Sequence, residues 1–379
     1  MAKEHTIDIP AHCNIYCNAA LRTLRVCFSE PSDGINDDTG ILLLIPGFGA
    51  DLNSNVYKKM REIFADQYNL ITIQCDYFGQ EYMQEPVNMR FDIVRFLEDL
   101  SFKNPKLIIN ESTLSADVIQ DLAYKYNITI FRTSNFNETI ENFNDMGLMQ
   151  TLDNLTAILA VIAILNDNKL IFNAKKIIAY GHSHGAYLGY LCNAFAPTLF
   201  SLLIDNSAWL FPRYLNPETP RTIVDMIASK DETYVCTYIS SLAAQLSQDK
   251  ELLELPLLYK QFNNNCIISS FHGTTDTLIS CTDKKVYCSS IPFCQYNEIS
   301  AADIDGVIFR STNHGLDADF LEFFHYNMAR YKDQFSTSSK ILLPDVVFKT
   351  TQFTYEVDYS IGFPNLIIKG EHSGRNKAF

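Results

Sequence analysis

The chain has 379 residues, 47% hydrophobic and 20% charged, a composition typical of a globular protein with a large core. Its formal net charge of −14 argues against binding nucleic acid or an anionic membrane surface, because both need clustered lysine and arginine. No basic start followed by an apolar run begins the sequence, and no apolar segment reaches the roughly 20 residues that cross a bilayer. We therefore expect no membrane span, and small neutral or cationic substrates.

The ten cysteines lack close CxxC pairs, and no secretion signal accompanies them. This pattern is typical of reduced, mostly buried thiols, and it predicts that the protein resides in the cytoplasm. Cys281, Cys288 and Cys294 lie near one another in the sequence, but their irregular spacing disfavours a zinc site. We therefore expect no metal.

Short apolar segments alternate with helical ones along the chain, which predicts a mostly parallel sheet in an α/β fold. These segments are apolar throughout instead of alternating, so helices are expected on both faces of the sheet. Residues 21–28 predict an earlier antiparallel edge strand. The predicted parallel strands are 41–45, 70–75, 175–180, 201–205, 266–270 and 306–310.

The first of two long connections covers residues 80–145. Residues 87–100 predict a helix within it, and residues 107–131 predict a strand, a helix and a second strand. An inserted subdomain explains a connection of this length.

The second long connection, residues 206–265, is predicted to be largely helical, with helices at 223–228 and 238–246. It falls between two strands, where a lid or cap would sit. The main domain is expected to cover residues 1–340, with both insertions inside it.

Residues 341–379 are predicted to form a C-terminal β extension. Within it, residues 346–368 are rich in aromatic and β-branched side chains, which indicates a terminal hairpin or an association edge. Homo-oligomerisation through this segment is one expectation, and folding back onto the same chain is the other.

The segment Gly181-His182-Ser183-His184-Gly185 follows a predicted strand and begins a helix of small residues. That context is typical of a nucleophile elbow, in which a strained turn exposes the serine hydroxyl and glycines let neighbouring backbone pack closely. A serine needs a histidine to take its proton and a carboxylate to orient that histidine. Ser183 is therefore the predicted nucleophile.

Two later polar loops supply the partners. Asp276 follows the strand predicted at 266–270, and His314 follows the one predicted at 306–310. Carboxyl ends of parallel strands meet at one edge of the sheet, so both are expected near Ser183. Asp205 is the rival acid, and a structural role is expected for His272.

The order Ser183, Asp276, His314, with the elbow and the His-Gly-x-x-Asp loop at 272–276, resembles the α/β-hydrolase superfamily over residues 21–331. The run at 145–153 resembles esterase and prolyl-oligopeptidase-like members. The whole chain is also similar to a bacterial branch associated with flagellin-glycosylation loci. These resemblances imply an α/β-hydrolase fold with insertions and a C-terminal β segment.

An oxyanion hole needs two backbone N–H groups, one from the residue after the nucleophile and one from a loop after an early strand. We expect these from His184 and Phe48, although the Pro46–Ala50 loop departs from the His-Gly-Gly-Gly form of many lipases and leaves the second donor open. A metal between His182 and His184 is disfavoured, since their side chains point apart across an elbow. Trp209 and Arg213 are candidate substrate-binding residues, with core packing and a surface salt bridge as the alternatives.

These features predict a serine hydrolase that cleaves an ester or related acyl bond of a small molecule through an acyl-enzyme, with no cofactor. Three alternatives stay open. They are an acyltransferase that uses the same triad, with a sugar hydroxyl as one candidate acceptor, a small-peptide hydrolase, and a catalytically silent binding protein that keeps the fold.

Overall fold

The computed structural model describes residues 1–17, 21–83, 90–107, 114–135, 137–216, 221–227, 232–239, 242–247, 249–338 and 340–370. The chain divides into two compact units. Unit 1 contains Met1–Gln84, Ile140–Pro212 and Ser247–Phe379, and unit 2 contains Glu85–Thr139 and Arg213–Leu246.

Strands and helices are numbered in chain order. The strands are β1 (Lys3–Pro10), β2 (Thr23–Glu30), β3 (Gly40–Ile45), β4 (Leu70–Cys75), β5 (Arg90–Phe91), β6 (Ile130–Asn135), β7 (Ile177–His182), β8 (Leu202–Asn206), β9 (Arg221–Ile227), β10 (Glu232–Ile239), β11 (Ile267–Gly273), β12 (Cys294–Ile299), β13 (Val346–Lys349), β14 (Phe353–Asp358) and β15 (Asn365–Gly370). The helices are α1 (Asn55–Tyr68), α2 (Ile93–Lys103), α3 (Ala116–Tyr126), α4 (Leu148–Asp167), α5 (His184–Phe195), α6 (Leu242–Leu246), α7 (Leu255–Leu258), α8 (Cys281–Ser289) and α9 (Phe320–Tyr331).

The central sheet of unit 1 has eight strands in the order β1-β2-β4-β3-β7-β8-β11-β12. Only β2 runs antiparallel to its neighbours, and the other pairs are parallel. This order and this direction of β2 make the molecule an α/β-hydrolase fold, as predicted. The carboxyl ends of β7, β8 and β11 therefore meet at one edge, where polar loops can assemble a site.

Apolar side chains cover both faces of this sheet. On one face, α1 and α9 join a buried cluster whose aromatic centre includes Phe64 and Phe324, with ring centroids 4.1 Å apart. On the other, α4 and α5 pack against β4, β7 and β8. Helix α4 is apolar nearly all round because it is buried, and its 20 residues reach a length that no apolar segment was expected to have. It is long and apolar enough to cross a membrane, but it is enclosed in the protein like the core helix of a globular domain.

Two strand predictions were wrong. Residues 306–310 form no strand, because the carboxylate of Asp305 accepts hydrogen bonds from the N–H groups of Val307, Ile308 and Phe309 and turns the chain there. The last strand of the sheet is instead β12, whose half-exposed, mostly polar residues hide it from a search for apolar runs. The strand predicted at the edge, residues 21–28, corresponds to β2, which is not at the edge of the sheet. The edge strand is β1, which pairs with β2 along its full length.

Unit 2 contains the sheet β5-β6-β10-β9 and the helices α2, α3 and α6. Residues from α2, α3, β6 and the turn between α3 and β6 form its buried cluster: Phe96, Leu100, Ile119, Ala123, Ile128 and Ile130. The predicted helix–strand unit is confirmed for α3 and β6, whereas residues 108–113, which carry most of the first predicted strand, lie outside the described residues.

Helix predictions in unit 2 were partly wrong. Residues 223–227 lie in β9 and 238–239 end β10, so the second connection is not largely helical, and only α6 remains of the helix expected at 238–246. The threonine, tyrosine and β-branched residues of β9 and β10 favour strands over helices. The helix predicted at 87–100 begins at Ile93, because Asp92 accepts a hydrogen bond from the N–H of Arg95 and caps it. Residues 84–89 lie outside the described residues.

The C-terminal segment forms a three-stranded antiparallel sheet, β13-β14-β15, within unit 1. It is anchored to the same chain, since the ring of Phe348 stacks 5.6 Å from that of Phe195 and the hydroxyl of Tyr359 donates to the carbonyl of Phe195. The terminal hairpin is thus extended by a third strand. Homo-oligomerisation through it stays a prediction.

Candidate active site

Ser183 occupies a strained turn between β7 and α5. Its φ of 54° and ψ of −118° are rare for a residue with a side chain, and its N–H donates to the carbonyl of Asn206 over 2.8 Å. A Cβ on Gly181 would lie 2.4 Å from the N of Ala186, and one on Gly185 would lie 2.0 Å from the carbonyl oxygen of Ile45. Both glycines are therefore needed for α5 to begin this close to β3 and β7.

His314 bridges the serine and an aspartate. Its Nε2 lies 2.7 Å from Ser183 Oγ, and its Nδ1 lies 2.8 Å from Asp276 Oδ2. The Asp276 side chain is fully buried, while 18% of the His314 side chain is exposed. The structure thus brings together the three residues predicted as nucleophile, base and acid.

The loop after β11 fixes Asp276. Its Oδ1 accepts hydrogen bonds from the N–H groups of Leu278 and Ile279 at 2.8 and 3.1 Å, and its Oδ2 lies 3.4 Å from His272 Nε2. Burial raises the pKa of Asp276, but the hydrogen bond and charge of His314 outweigh it, so this pKa lies below its usual value. Asp276 is both a turn aspartate and the partner of His314. His272, which also bonds the Ile279 carbonyl, has the structural role expected of it.

The loops that carry Asp276 and His314 are tied together. A Cβ on Gly273 would lie 2.0 Å from the carbonyl oxygen of Thr312, so only glycine allows this approach. The N–H of Thr275 donates to the Thr312 carbonyl, and its hydroxyl donates to Asn313 Oδ1 over 2.8 Å. These contacts hold Asp276 and His314 close together, although the loop of His314 does not follow a strand as predicted.

His182 packs beneath the His314 loop. A Cβ on Gly315, whose φ is +80°, would lie 2.6 Å from His182 Cε1, and the His182 ring also lies 5.0 Å from the Phe320 ring. Burial, together with the charge of His314, lowers the pKa of His182 to about 4. His182 is therefore a neutral packing residue at neutral pH.

Two residues that the sequence analysis did not single out connect β8 to this loop. Asn206 Nδ2 donates to the Gly315 carbonyl, and the N–H of Gly315 donates to Ser207 Oγ over 3.0 Å. Ser207 has a φ of +58°. Their position immediately after a predicted strand was the available signal, but asparagine and serine there are also ordinary loop residues.

Asp205, the rival acid, has other partners. Its Oδ2 lies 2.7 Å from Lys284 Nζ and accepts hydrogen bonds from the hydroxyls of Tyr190 and Ser270. Burial raises the pKa of Asp205, but Lys284 and these hydrogen bonds leave it below its usual value. Its Oδ1 accepts from the N–H of Ala208 over 2.7 Å. The structure thus places Asp205 in a buried ion pair and not at His314.

Trp209 lies against Ser183. Its indole Nε1 donates to Ser183 Oγ over 3.1 Å, and its ring meets the His184 ring edge to face with centroids 6.2 Å apart. His184 Nε2 in turn lies 2.6 Å from Gln150 Oε1, so its side chain is buried away from the serine. Gln150 is a polar residue in an apolar helix, a signal that the sequence analysis did not use.

The loop after β3 lies beside the elbow. A Cβ on Gly47 would lie 2.6 Å from the His182 carbonyl oxygen and 3.5 Å from Ser183 Cβ. The hydroxyl of Tyr77 donates to the Pro46 carbonyl over 3.2 Å and supports this loop. Phe48 is the next residue, so its N–H stays the predicted second oxyanion donor.

Arg213 belongs to unit 2, where its guanidinium lies 5.7 Å from the centre of the Tyr214 ring. Its role in binding substrate stays a prediction. Among the described residues, no group of three or more His, Cys, Asp or Glu side chains is arranged to hold a metal ion. The thiols of Cys281 and Cys288 instead contact the hydroxyls of Tyr296 and Ser270.

A family model described as Protein of unknown function (DUF2920) matches residues 21–216. A search of curated proteins finds no match.

Solved structures similar to this chain include Est1E from Butyrivibrio proteoclasticus with ferulic acid bound, at 13% identity and a TM-score of 0.45, covering 82% of this chain and 95% of that one. Thermogutta terrifontis esterase 2 phosphoramylated by tabun gives 10% identity and a TM-score of 0.44, covering 89% and 97%. The peroxisomal α/β-hydrolase Lpx1 from Saccharomyces cerevisiae gives 12% identity and a TM-score of 0.46, covering 90% and 93%. Because these TM-scores are low, the fold is assigned from the strand order of the central sheet, and no activity is inferred from these proteins.

Proposed function

The chain belongs to the family whose model it matches, Protein of unknown function (DUF2920), and for this member we propose a serine hydrolase that cleaves an ester or related acyl bond of a small molecule. The hydrogen-bonded series Ser183–His314–Asp276 at a strained elbow is the observation that carries the proposal. A serine, a histidine and a buried carboxylate in this order can activate a hydroxyl for acyl transfer.

In the first half of the reaction, Ser183 Oγ attacks the carbonyl carbon and its proton moves to His314 Nε2. Asp276 holds the Nδ1–H of His314 and stabilises the imidazolium. The backbone N–H groups of His184 and Phe48 hold the oxyanion, and the proton on His314 then passes to the leaving alcohol. The product of this half is an acyl-enzyme on Ser183.

Water completes the reaction. His314 takes a proton from water as its oxygen attacks the acyl carbon, and it returns that proton to Ser183 Oγ when the bond to carbon breaks. These steps need neither metal nor organic cofactor. Cytoplasmic location and the link to flagellin glycosylation stay predictions, because neither follows from this chemistry.

Labelling with a fluorophosphonate, read as intact-protein mass, tests the proposal together with p-nitrophenol release from short p-nitrophenyl esters. We expect the wild type to label once and to turn over, and Ser183→Ala to do neither. Ser289→Ala is the matched control, because Ser289 is exposed on α8 and bonds only the carbonyl of Lys285 among the described residues. A well-folded wild type that fails to label would contradict the proposal and favour the silent binding protein.

The same assay separates hydrolysis from transfer. When a small alcohol is added, a hydrolase still releases mainly free acid, whereas an acyltransferase converts most of the acyl group into the new ester. We expect free acid to dominate, and a dominant new ester would assign the triad to a transferase.

A further inference from the structure

We propose that the indole N–H of Trp209 is a second hydrogen-bonding partner of the Ser183 hydroxyl beside His314, held in place by the buried Asp205–Lys284 ion pair, and that it assists the departure of Ser183 Oγ during deacylation. This inference rests on the proposed function. It assigns a stabilising role to a residue for which the sequence left substrate binding and core packing as the alternatives.

The geometry gives Ser183 Oγ two partners at once. In the tautomer of His314 that donates from Nδ1 to Asp276, its Nε2 accepts the Ser183 hydroxyl proton at 2.7 Å, and an Oγ lone pair accepts the Trp209 N–H at 3.1 Å. The Trp209 side chain is buried, so the hydrogen bond is sheltered from water. An N–H donor aimed at an oxygen stabilises that oxygen most when it carries negative charge.

The ion pair fixes the backbone immediately before Trp209. Asp205 Oδ1 accepts the N–H of Ala208 at 2.7 Å, and Lys284 Nζ donates to the Ala208 carbonyl at 3.2 Å. Asp205 and Lys284 are themselves 2.7 Å apart, and neither side chain is exposed. Ala208 is thus held at both its N–H and its carbonyl, and this restricts where the next residue can place its ring.

The hydrogen bond from Trp209 to Ser183 Oγ affects acylation and deacylation differently. During acylation, Ser183 Oγ is the attacking atom, and a donor on it slightly weakens the nucleophile. During deacylation, the bond between the acyl carbon and Oγ breaks, its electron pair goes to Oγ, and the proton comes from His314 Nε2. The Trp209 N–H stabilises the charge that develops on Oγ in that step.

Trp209→Phe removes the N–H and keeps an aromatic ring. With p-nitrophenyl acetate in stopped flow, we expect deacylation to slow about tenfold, the size of effect expected for one hydrogen bond to a charged oxygen. Acylation should stay within about threefold of the wild type, so a burst becomes more pronounced. Tyr187→Phe is the control, since it removes only a side-chain hydroxyl, the one that donates to the Leu253 carbonyl. The hydrogen bond from the Tyr187 N–H to the Ser183 carbonyl belongs to the backbone and stays in place.

The double variant Asp205→Asn/Lys284→Met tests the second half of the proposal without leaving a lone buried charge. We expect it to reproduce the deacylation defect of Trp209→Phe. Adding Trp209→Phe to it should change the rate by less than about twofold, because both act through one hydrogen bond. Additive defects would overturn the role of the ion pair.

Trp209 is the chain's single tryptophan, so the wild type also provides a test that needs no variant. We expect intrinsic fluorescence to change in step with fluorophosphonate labelling of Ser183. Full labelling without a fluorescence change, or equal slowing of acylation and deacylation in Trp209→Phe, would overturn this inference alone. Failure of the wild type to label would instead overturn the proposed function.

Discussion

Asp276 Oδ2 lies 2.8 Å from His314 Nδ1, although the two residues are 38 positions apart in the chain. The contact depends on two loops that approach closely at Gly273, where any side chain would meet the Thr312 carbonyl. Asp205 lies near the carboxyl end of the neighbouring strand β8, but its carboxylate is paired with Lys284. The side chains that bind each carboxylate therefore determine that Asp276, and not Asp205, lies at His314.

Asp276→Asn should lower kcat by roughly 10³- to 10⁴-fold, because an amide disfavours the histidine tautomer that accepts the serine proton. The measurement is ester hydrolysis at neutral pH. Asp283→Asn, an exposed position in the first turn of α8, should leave kcat within about twofold, as surface substitutions do. A larger loss in Asp205→Asn than in Asp276→Asn would contradict this assignment.

Gly185→Ala should destabilise the protein by about 3 kcal/mol or more and abolish turnover, because the added Cβ would collide with the backbone of β3. Gly189→Ala, one turn later in α5, meets only the end of the Leu203 side chain at 2.8 Å. We expect Gly189→Ala to lower the free energy of unfolding by less than about 1 kcal/mol and to retain the activity of the wild type. Urea unfolding and ester hydrolysis measure both quantities, and equal losses would show that the close approach at Gly185 is not needed.

Much of this site could be predicted from the sequence because it depends on local patterns. The elbow motif indicates Ser183, and the polar loop after an apolar strand indicates Asp276. His314 was predicted from a loop after a strand at residues 306–310, and it lies beside Ser183 although that strand does not form. The mostly parallel α/β sheet also follows, since apolar segments alternate with helices.

The remaining features depend on long-range pairing. β1 and β12 carry mostly polar or alternating residues, so only their partners in the sheet reveal them as strands. Residues 223–227 of β9 and 238–239 of β10 were assigned to helices because short apolar runs fit either period. The Trp209 N–H reaches Ser183 because of the turn after β8, and no sequence pattern specifies its direction.

Acidification from pH 6.5 to 4 should lower the free energy of unfolding, and His182 should contribute to this loss. Burial holds its folded pKa at about 4, below its unfolded value near 6.5, so the unfolded chain binds an extra proton throughout this window. Urea titrations at several pH values measure the slope. His182→Gln should reduce the slope of the free energy of unfolding against pH by the equivalent of up to about one bound proton. An unchanged slope would show that His182 protonates freely in the folded protein.

Below about pH 4, a second loss of stability should come from Asp276. Its folded pKa lies below its unfolded value, so its contribution is present above the unfolded pKa and disappears as pH falls through the folded one. Asp276→Asn should flatten this part of the profile, measured by thermal unfolding between pH 2.5 and 5, a range chosen to span the ordinary carboxyl pKa of about 3.9. A variant that follows the wild-type profile throughout would contradict the depressed pKa.

Isolation of the acyl-enzyme tests the central claim most directly. The wild type is mixed with p-nitrophenyl acetate, quenched in acid within the first turnover, digested and mapped by mass spectrometry. We predict one acetyl group on the peptide that contains Ser183, and none after a chase without substrate. An acetyl group that persists, that lies on another residue, or that never forms while p-nitrophenol is released would contradict a Ser183–His314–Asp276 hydrolase.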